Sequence, residues 1–139
     1  MKILFICKYN AFRSRIAEEY FNKINKNRKI KVFGRGIIMG GNSDNKQRQI
    51  SKQLLGINIA KRKPIPLTLQ NLIESDLIVV VANDIPMIIF NYQLKSIKDK
   101  VIIWKIKDEQ KMNTKNIKRI ILEIKRKIED LNIKLEARK

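Results

Sequence analysis

The chemistry in this sequence begins at one sulfur. Cys7 is the only cysteine among 139 residues, and there is no histidine. Five residues follow it, Lys8, Tyr9, Asn10, Ala11 and Phe12, and then Arg13 and Ser14. A loop of this kind at a helix N-terminus turns several backbone N–H groups inward, and the helix dipole adds partial positive charge. Such a loop binds a phosphate-like oxyanion. The same field favours the ionised form of a thiol at its floor, which is the nucleophilic form. Arg13 can grip two oxygens of the anion in a bidentate fork and stabilise charge as a phosphoryl group moves. The Ser14 hydroxyl can donate to the thiolate or help it leave. Asn10 tolerates the left-handed backbone that a tight loop without glycine requires. Given Cys7, nine arginines and five serines would place Arg and Ser at those two positions by chance roughly once in four hundred. The alternative is a buried structural cysteine, the commoner fate of a lone thiol. A position just past an apolar strand, at a helix start, favours chemistry.

The elements that must hold this loop are legible in the hydrophobic pattern. Lys2 to Ile6 reads as a buried strand and Arg13 to about Asn27 as a helix, with Ile16, Ala17, Tyr20, Phe21 and Ile24 on one face. Ile30 to Phe33 reads as a second strand, followed by a long loop marked by Gly34, Gly36, Gly40 and Gly41. Ser43 or Asp44 caps a helix that carries Ile50, Leu54 and Leu55 and stops at Gly56. Lys61 to Pro66 is basic, proline-punctuated loop, and a short helix follows Thr68. Leu77 to Val81 suits a strand covered on both faces. Pro86 to about Leu94 is expected to be helical, and Val101 to Ile106 to be the last strand. Asn113 or Thr114 caps a final helix with Ile117, Ile120, Ile121, Ile124, Ile128 and Leu131 at three- and four-residue spacing. The alternation predicts an α/β fold, one domain over residues 1–139, with a four-stranded parallel sheet and helices on both faces. Ligands in such folds bind beyond the carboxyl ends of the strands. The loops beginning at Cys7, Gly34, Ala82 and Lys107 therefore share one edge. Asp84 and Asp108 each follow a strand toward that edge, so either can supply a general acid.

Composition excludes several function classes. Without histidine there is no Ser-His-Asp or Cys-His catalysis and no histidine-ligated zinc. A single cysteine rules out thiolate clusters and internal disulfides, in keeping with a reducing compartment. No apolar run is long enough to span a bilayer, and the N-terminal apolar stretch is too short for a signal peptide, so a cytoplasmic protein is expected. The net charge of +18 raises nucleic-acid binding as a reading. Yet 22 lysines, 26 isoleucines and 13 asparagines against five alanines indicate a drift of the whole composition, and the lysines form no dense block. The charge is read as a solvated basic surface that draws in anionic substrates and weakens with salt. No cofactor, metal or membrane partner is expected.

The residues Ile3-Leu4-Phe5-Ile6-Cys7, Asn10, Arg13-Ser14 and Ile16-Ala17-Glu18 resemble the start of the low-molecular-weight protein tyrosine phosphatases and the arsenate reductases of that fold. Gly34-Arg35-Gly36, Gly56 to Ile59, Ser75 to Val80 and Trp104 to Asp108 extend the likeness along nearly the whole chain. The resemblance implies the flavodoxin-like phosphatase fold and a phosphocysteine mechanism. Cys7 is then the nucleophile, and Arg13 with the loop Lys8 to Ser14 holds the phosphate. Asp108 is the general acid, and the substrate is a phosphorylated protein or small molecule. The chain departs from the family at three places. Asp108 is followed by Glu109, Gln110 and Lys111 rather than proline and aromatic residues, which leaves phosphotyrosine specificity open. Phe12 stands where many members carry a second cysteine, and Tyr9 where the loop glycine usually lies.

Four alternatives stand beside the phosphatase. An arsenate reductase would need an external thiol, since no further cysteine exists to relay a disulfide. A phosphocysteine carrier of sugar transport generally lacks an arginine at the Arg13 position. The others are a basic nucleic-acid-binding module and a non-catalytic phosphoprotein-binding module.

Overall fold

Alternation of side chains along the first strand sets the architecture. In β1 (Lys2–Cys7), Ile3 and Phe5 bury into one apolar cluster, while Leu4 and Ile6 bury into a second cluster on the opposite face. The structure, a computed structural model, describes residues 1–38, 40–86, 95–107 and 113–137. After β1 come α1 (Arg13–Ile24), β2 (Lys31–Gly36), α2 (Asn45–Leu55), α3 (Leu69–Glu74), β3 (Leu77–Val81), α4 (Lys95–Lys98), β4 (Val101–Trp104) and α5 (Thr114–Glu136). The four strands are parallel in the order β2-β1-β3-β4, with Cys7 opposite Gly36 and Ile6 opposite Val80. β1 thus runs at the sheet's centre and delivers Cys7 to its carboxyl edge, where the strand order reverses.

Helices cover both faces. α1, α2 and α5 pack over Phe5, Val79, Val81 and Trp104, and α3 and α4 bring Leu72 and Ile97 to the other cluster. The isoleucine stripe of α5, from Ile117 through Ile128, is wholly buried. Each such side chain contributes about 1.5–3 kcal/mol by leaving water. Phe5 packs on Phe21 and Trp104 at ring separations of 6.3 and 6.1 Å. The Tyr20 hydroxyl donates to Glu129 at 2.7 Å and pins α1 to α5. Burial, together with the bond to Glu129, pushes the Tyr20 hydroxyl up to about 12. Hydrogen bonds from Tyr20 and Lys125 hold the Glu129 carboxyl below its usual range.

Caps form where side-chain acceptors precede apolar periods. Asp44 and Gln47 make a capping box on α2, Thr68 and Asn71 make one on α3, and Asn113 caps α5. Gly56 closes α2 with a φ of 65°. Between the two candidates for the α2 cap, the helix takes Asp44. Ser43 instead accepts from Arg48 at 3.1 Å.

Three boundaries differ from the sequence expectation. β2 runs on through Gly34 and Gly36, which the turn preference of glycine had placed in loop. The first helix stops at Ile24, where Asn25 turns extended. β4 ends at Trp104, although Ile106 beyond it remains buried. In the helix expected from Pro86 to Leu94, residues 87–94 lie outside the described residues, as does Asp108. Among the described residues no helix is long and apolar enough to cross a membrane.

Candidate active site

The site grows from the end of β1. Cys7, 2% exposed, is the strand's last residue, and α1 begins six residues later at Arg13. Phe12, at the N-cap, has no side-chain acceptor, and the first turn of α1 carries no acidic residue. The leading amides of α1 are thus uncapped by side chains, as an anion site requires. Asn10 adopts a φ of 55°, the one left-handed non-glycine among the described residues. This matches the sequence expectation for a loop that must curl without glycine.

Asn10 is wholly buried, and every hydrogen bond it makes is directional. Its Nδ2 donates to Ser14 Oγ at 2.6 Å. Its Oδ1 accepts from Arg62 Nη1 at 3.2 Å and from the Ile65 backbone N–H at 3.1 Å. Two donors on the oxygen fix the amide's orientation. The Cys7 thiol donates to the same Ser14 Oγ at 3.1 Å; with Asn10 as a donor to that oxygen, the hydroxyl's own proton can turn to the sulfur whenever the sulfur is a thiolate. A relay therefore runs from Arg62 through Asn10 and Ser14 to the sulfur.

Arg62 is anchored from behind. Glu18, in the second turn of α1, accepts from Arg62 at 2.9 Å and from Arg15 at 2.8 Å. Burial draws the Arg15 guanidinium below its ordinary value, and Glu18 opposes that shift. Arg35, whose Nη1 donates to Gly34 O at 2.7 Å, is lowered by burial and by the neighbouring Arg62 charge. Both guanidinium groups remain charged at any working pH. The glycines of β2 make the approach possible. A Cβ on Gly34 would lie 2.6 Å from Glu18 Oε2 and 2.8 Å from Asn10 Nδ2. One on Gly36 would lie 2.6 Å from the Tyr9 carbonyl carbon. They let the loop after Cys7 lie against the sheet.

Arg13 is 3% exposed, with Nη1 donating to Ile106 O at 3.0 Å and Nη2 paired with Asp84 at 3.2 Å. The chain past β3 and the chain past β4 thus meet at this guanidinium, as the shared sheet edge predicts. Asp84, one of the two candidate acids in the sequence, is ion-paired with Arg13. Cys7, Tyr9, Ala11, Phe12 and Arg13 line a cleft of about 320 Å³, and Asp44 and Gln47 from the start of α2 form part of its wall. Within the expected phosphate loop, Asn10 and Ser14 lie buried behind that surface, and Lys8 reaches over the Tyr9 ring. Sequence reasoning missed Arg62, Glu18, Asp44 and Gln47 as parts of the site. Arg62 gave no signal, because it sits in a segment that reads only as basic loop.

A family model described as low molecular weight phosphotyrosine protein phosphatase matches residues 2–139. No curated protein matches. Among solved structures, a protein tyrosine phosphatase from Entamoeba histolytica with Hepes in its active site superposes with a TM-score of 0.86. It is 23% identical, over 99% of this chain and 97% of that one. A low molecular weight protein tyrosine phosphatase from T. tengcongensis gives 0.83 at 23% identity, covering 96% and 99% of the two chains. The YwlE arginine phosphatase from Geobacillus stearothermophilus gives 0.82 at 19% identity, over 99% and 94%.

Proposed function

The chain belongs to the low molecular weight phosphotyrosine protein phosphatase family, a family of cysteine-dependent phosphatases, and from that premise we propose that Cys7, Arg13 and Asp108 hydrolyse phosphomonoesters through a phosphocysteine. The observation that carries the assignment is that a buried sulfur and a buried guanidinium both line one cleft at an uncapped helix N-terminus.

The reaction follows from these groups. The Cys7 thiolate attacks phosphorus in line, forming a P–S bond as the bond to the leaving oxygen breaks. Arg13 and the loop amides hold the equatorial oxygens, whose charge grows in the transition state. The Asp108 carboxyl gives its proton to the leaving oxygen. Its carboxylate then takes a proton from the water that attacks phosphorus, and the P–S bond breaks to return the thiolate and inorganic phosphate. The sequence position of Asp108, directly after Lys107 at the sheet's carboxyl edge, supports its role. The ion pair of Asp84 with Arg13 supports a different role for Asp84, that of aiming the guanidinium. The scheme calls on no metal or cofactor. The substrate is a phosphorylated protein residue or small molecule, and inorganic phosphate occupies the same loop as product.

Turnover of p-nitrophenyl phosphate by the wild type, Cys7→Ala, Arg13→Ala, Asp108→Asn and Asp84→Asn tests the reading. Loss is expected to be essentially complete for Cys7→Ala and at least about a hundredfold for Arg13→Ala. Asp108→Asn should lose activity in part with this good leaving group and far more with phenyl phosphate. Asp84→Asn should show no such dependence on leaving group. Full activity in Cys7→Ala ends the proposal.

A further inference from the structure

The amides of a phosphate loop serve an anion whatever side chains they carry, so the side chain at position 9 is available for another task. Tyr9 is 37% exposed and lines the cleft beside Cys7. One side of its ring packs against Gly40. Gly40 comes so near that a Cβ there would lie 2.4 Å from Tyr9 Cδ1 and 3.0 Å from Cγ. Lys8 Nζ stands 5.3 Å from the ring centroid, within cation–π reach. Gly36 in β2 clears space for the Tyr9 backbone in the same way. Gly40 against the ring and Gly36 against the backbone thus hold this exposed aromatic residue at the mouth of the site. The other aromatic side chain in the lining, Phe12, is buried, and Asp44 and Gln47 present polar groups. Among the described residues, a leaving group entering the cleft therefore meets one exposed aromatic side chain, that of Tyr9. A preset ring gives up little rotamer freedom when a second flat group packs against it.

We propose that Tyr9 is a specificity-determining residue, a fixed aromatic wall that favours phosphomonoesters of flat aryl groups over alkyl ones. The inference rests on the phosphatase reading above and deepens it. Two ligands that cannot be hydrolysed, phenylphosphonate and methylphosphonate, test it by calorimetric titration of the wild type, Tyr9→Ala, Tyr9→Phe and Gly40→Ala. The wild type should bind the phenyl compound more tightly. The ratio of the two affinities should fall about threefold to tenfold in Tyr9→Ala and survive in Tyr9→Phe, since the ring contact is the source of the preference. Gly40→Ala should lower the ratio with Tyr9 itself intact, because a methyl group there must displace the ring; it supplies the answer should Tyr9→Ala fail to fold. A ratio unchanged in both Tyr9→Ala and Gly40→Ala overturns the proposal and leaves the phosphatase reading standing. A wild type that binds neither phosphonate overturns both.

Discussion

Asn10 is the residue on which loop shape and sulfur chemistry converge, and three substitutions separate its duties. Asn10→Gly removes three hydrogen bonds, those with Ser14, Arg62 and Ile65. At about 1 kcal/mol each, the loss is about 3 kcal/mol of stability. Asn10→Ala removes the same bonds and also forces a Cβ-bearing residue without local hydrogen bonds to hold a φ of 55°. That adds about 1 kcal/mol, so Ala should be the worse of the two. Asn10→Asp is the informative variant. The new carboxylate still accepts from Arg62 and Ile65, and aspartate tolerates the left-handed backbone, so stability should stay within about 1 kcal/mol of wild type. It cannot donate to Ser14, however. The Ser14 hydroxyl must then turn its proton to the carboxylate and away from Cys7. Losing one hydrogen bond to a charged sulfur, about 1.5 kcal/mol, should lower kcat for p-nitrophenyl phosphate about tenfold. Urea denaturation midpoints and steady-state kinetics measure both quantities. The relay is refuted if Asn10→Asp keeps wild-type kcat. The backbone argument is refuted if Asn10→Ala proves as stable as Asn10→Gly.

Two further expectations follow from packing and titration. Gly36→Ala should cost about 1–3 kcal/mol and lower activity, because its methyl group meets the Tyr9 backbone at 2.6 Å and pushes the loop off the sheet; a thermal melt beside a kinetic assay reads both. Tyr20 holds its proton to about pH 12 in the fold and to about 10 in the unfolded chain. The unfolded state therefore binds fewer protons between those values, and stability must fall as pH rises through the window. The fall should reach about 3 kcal/mol at most, and Tyr20→Phe should flatten it in denaturation curves taken across that range.

Sequence pattern carried the parts of this protein that are local. The Cys7 loop was legible because its cysteine, arginine and serine fall within eight residues, between a strand and a helix that each show their own period. The α5 stripe from Ile117 to Leu131 was legible because a buried helix face repeats every three to four residues. The left-handed Asn10 was legible for the same local reason. What escaped was long-range. Arg62 meets Asn10 across 52 residues, and Asp84 meets Arg13 across 71, so no spacing rule connects them. Asp84 therefore reads from sequence as a candidate acid, and only the fold shows it beside the guanidinium. Gly34 and Gly36 misled in the opposite direction. Glycine signals a turn locally, whereas here it marks a strand pressed against another segment.

Phosphoryl transfer to a single sulfur is the step from which every proposed role of the loop follows. Rapid acid quench of the protein during p-nitrophenyl phosphate turnover, followed by peptide mass spectrometry, looks at that sulfur directly. A Cys7-containing peptide heavier by one phosphoryl group is expected, absent in Cys7→Ala together with all turnover. Steady turnover with Cys7 unmodified at every quench time, and sustained in Cys7→Ala, would contradict it.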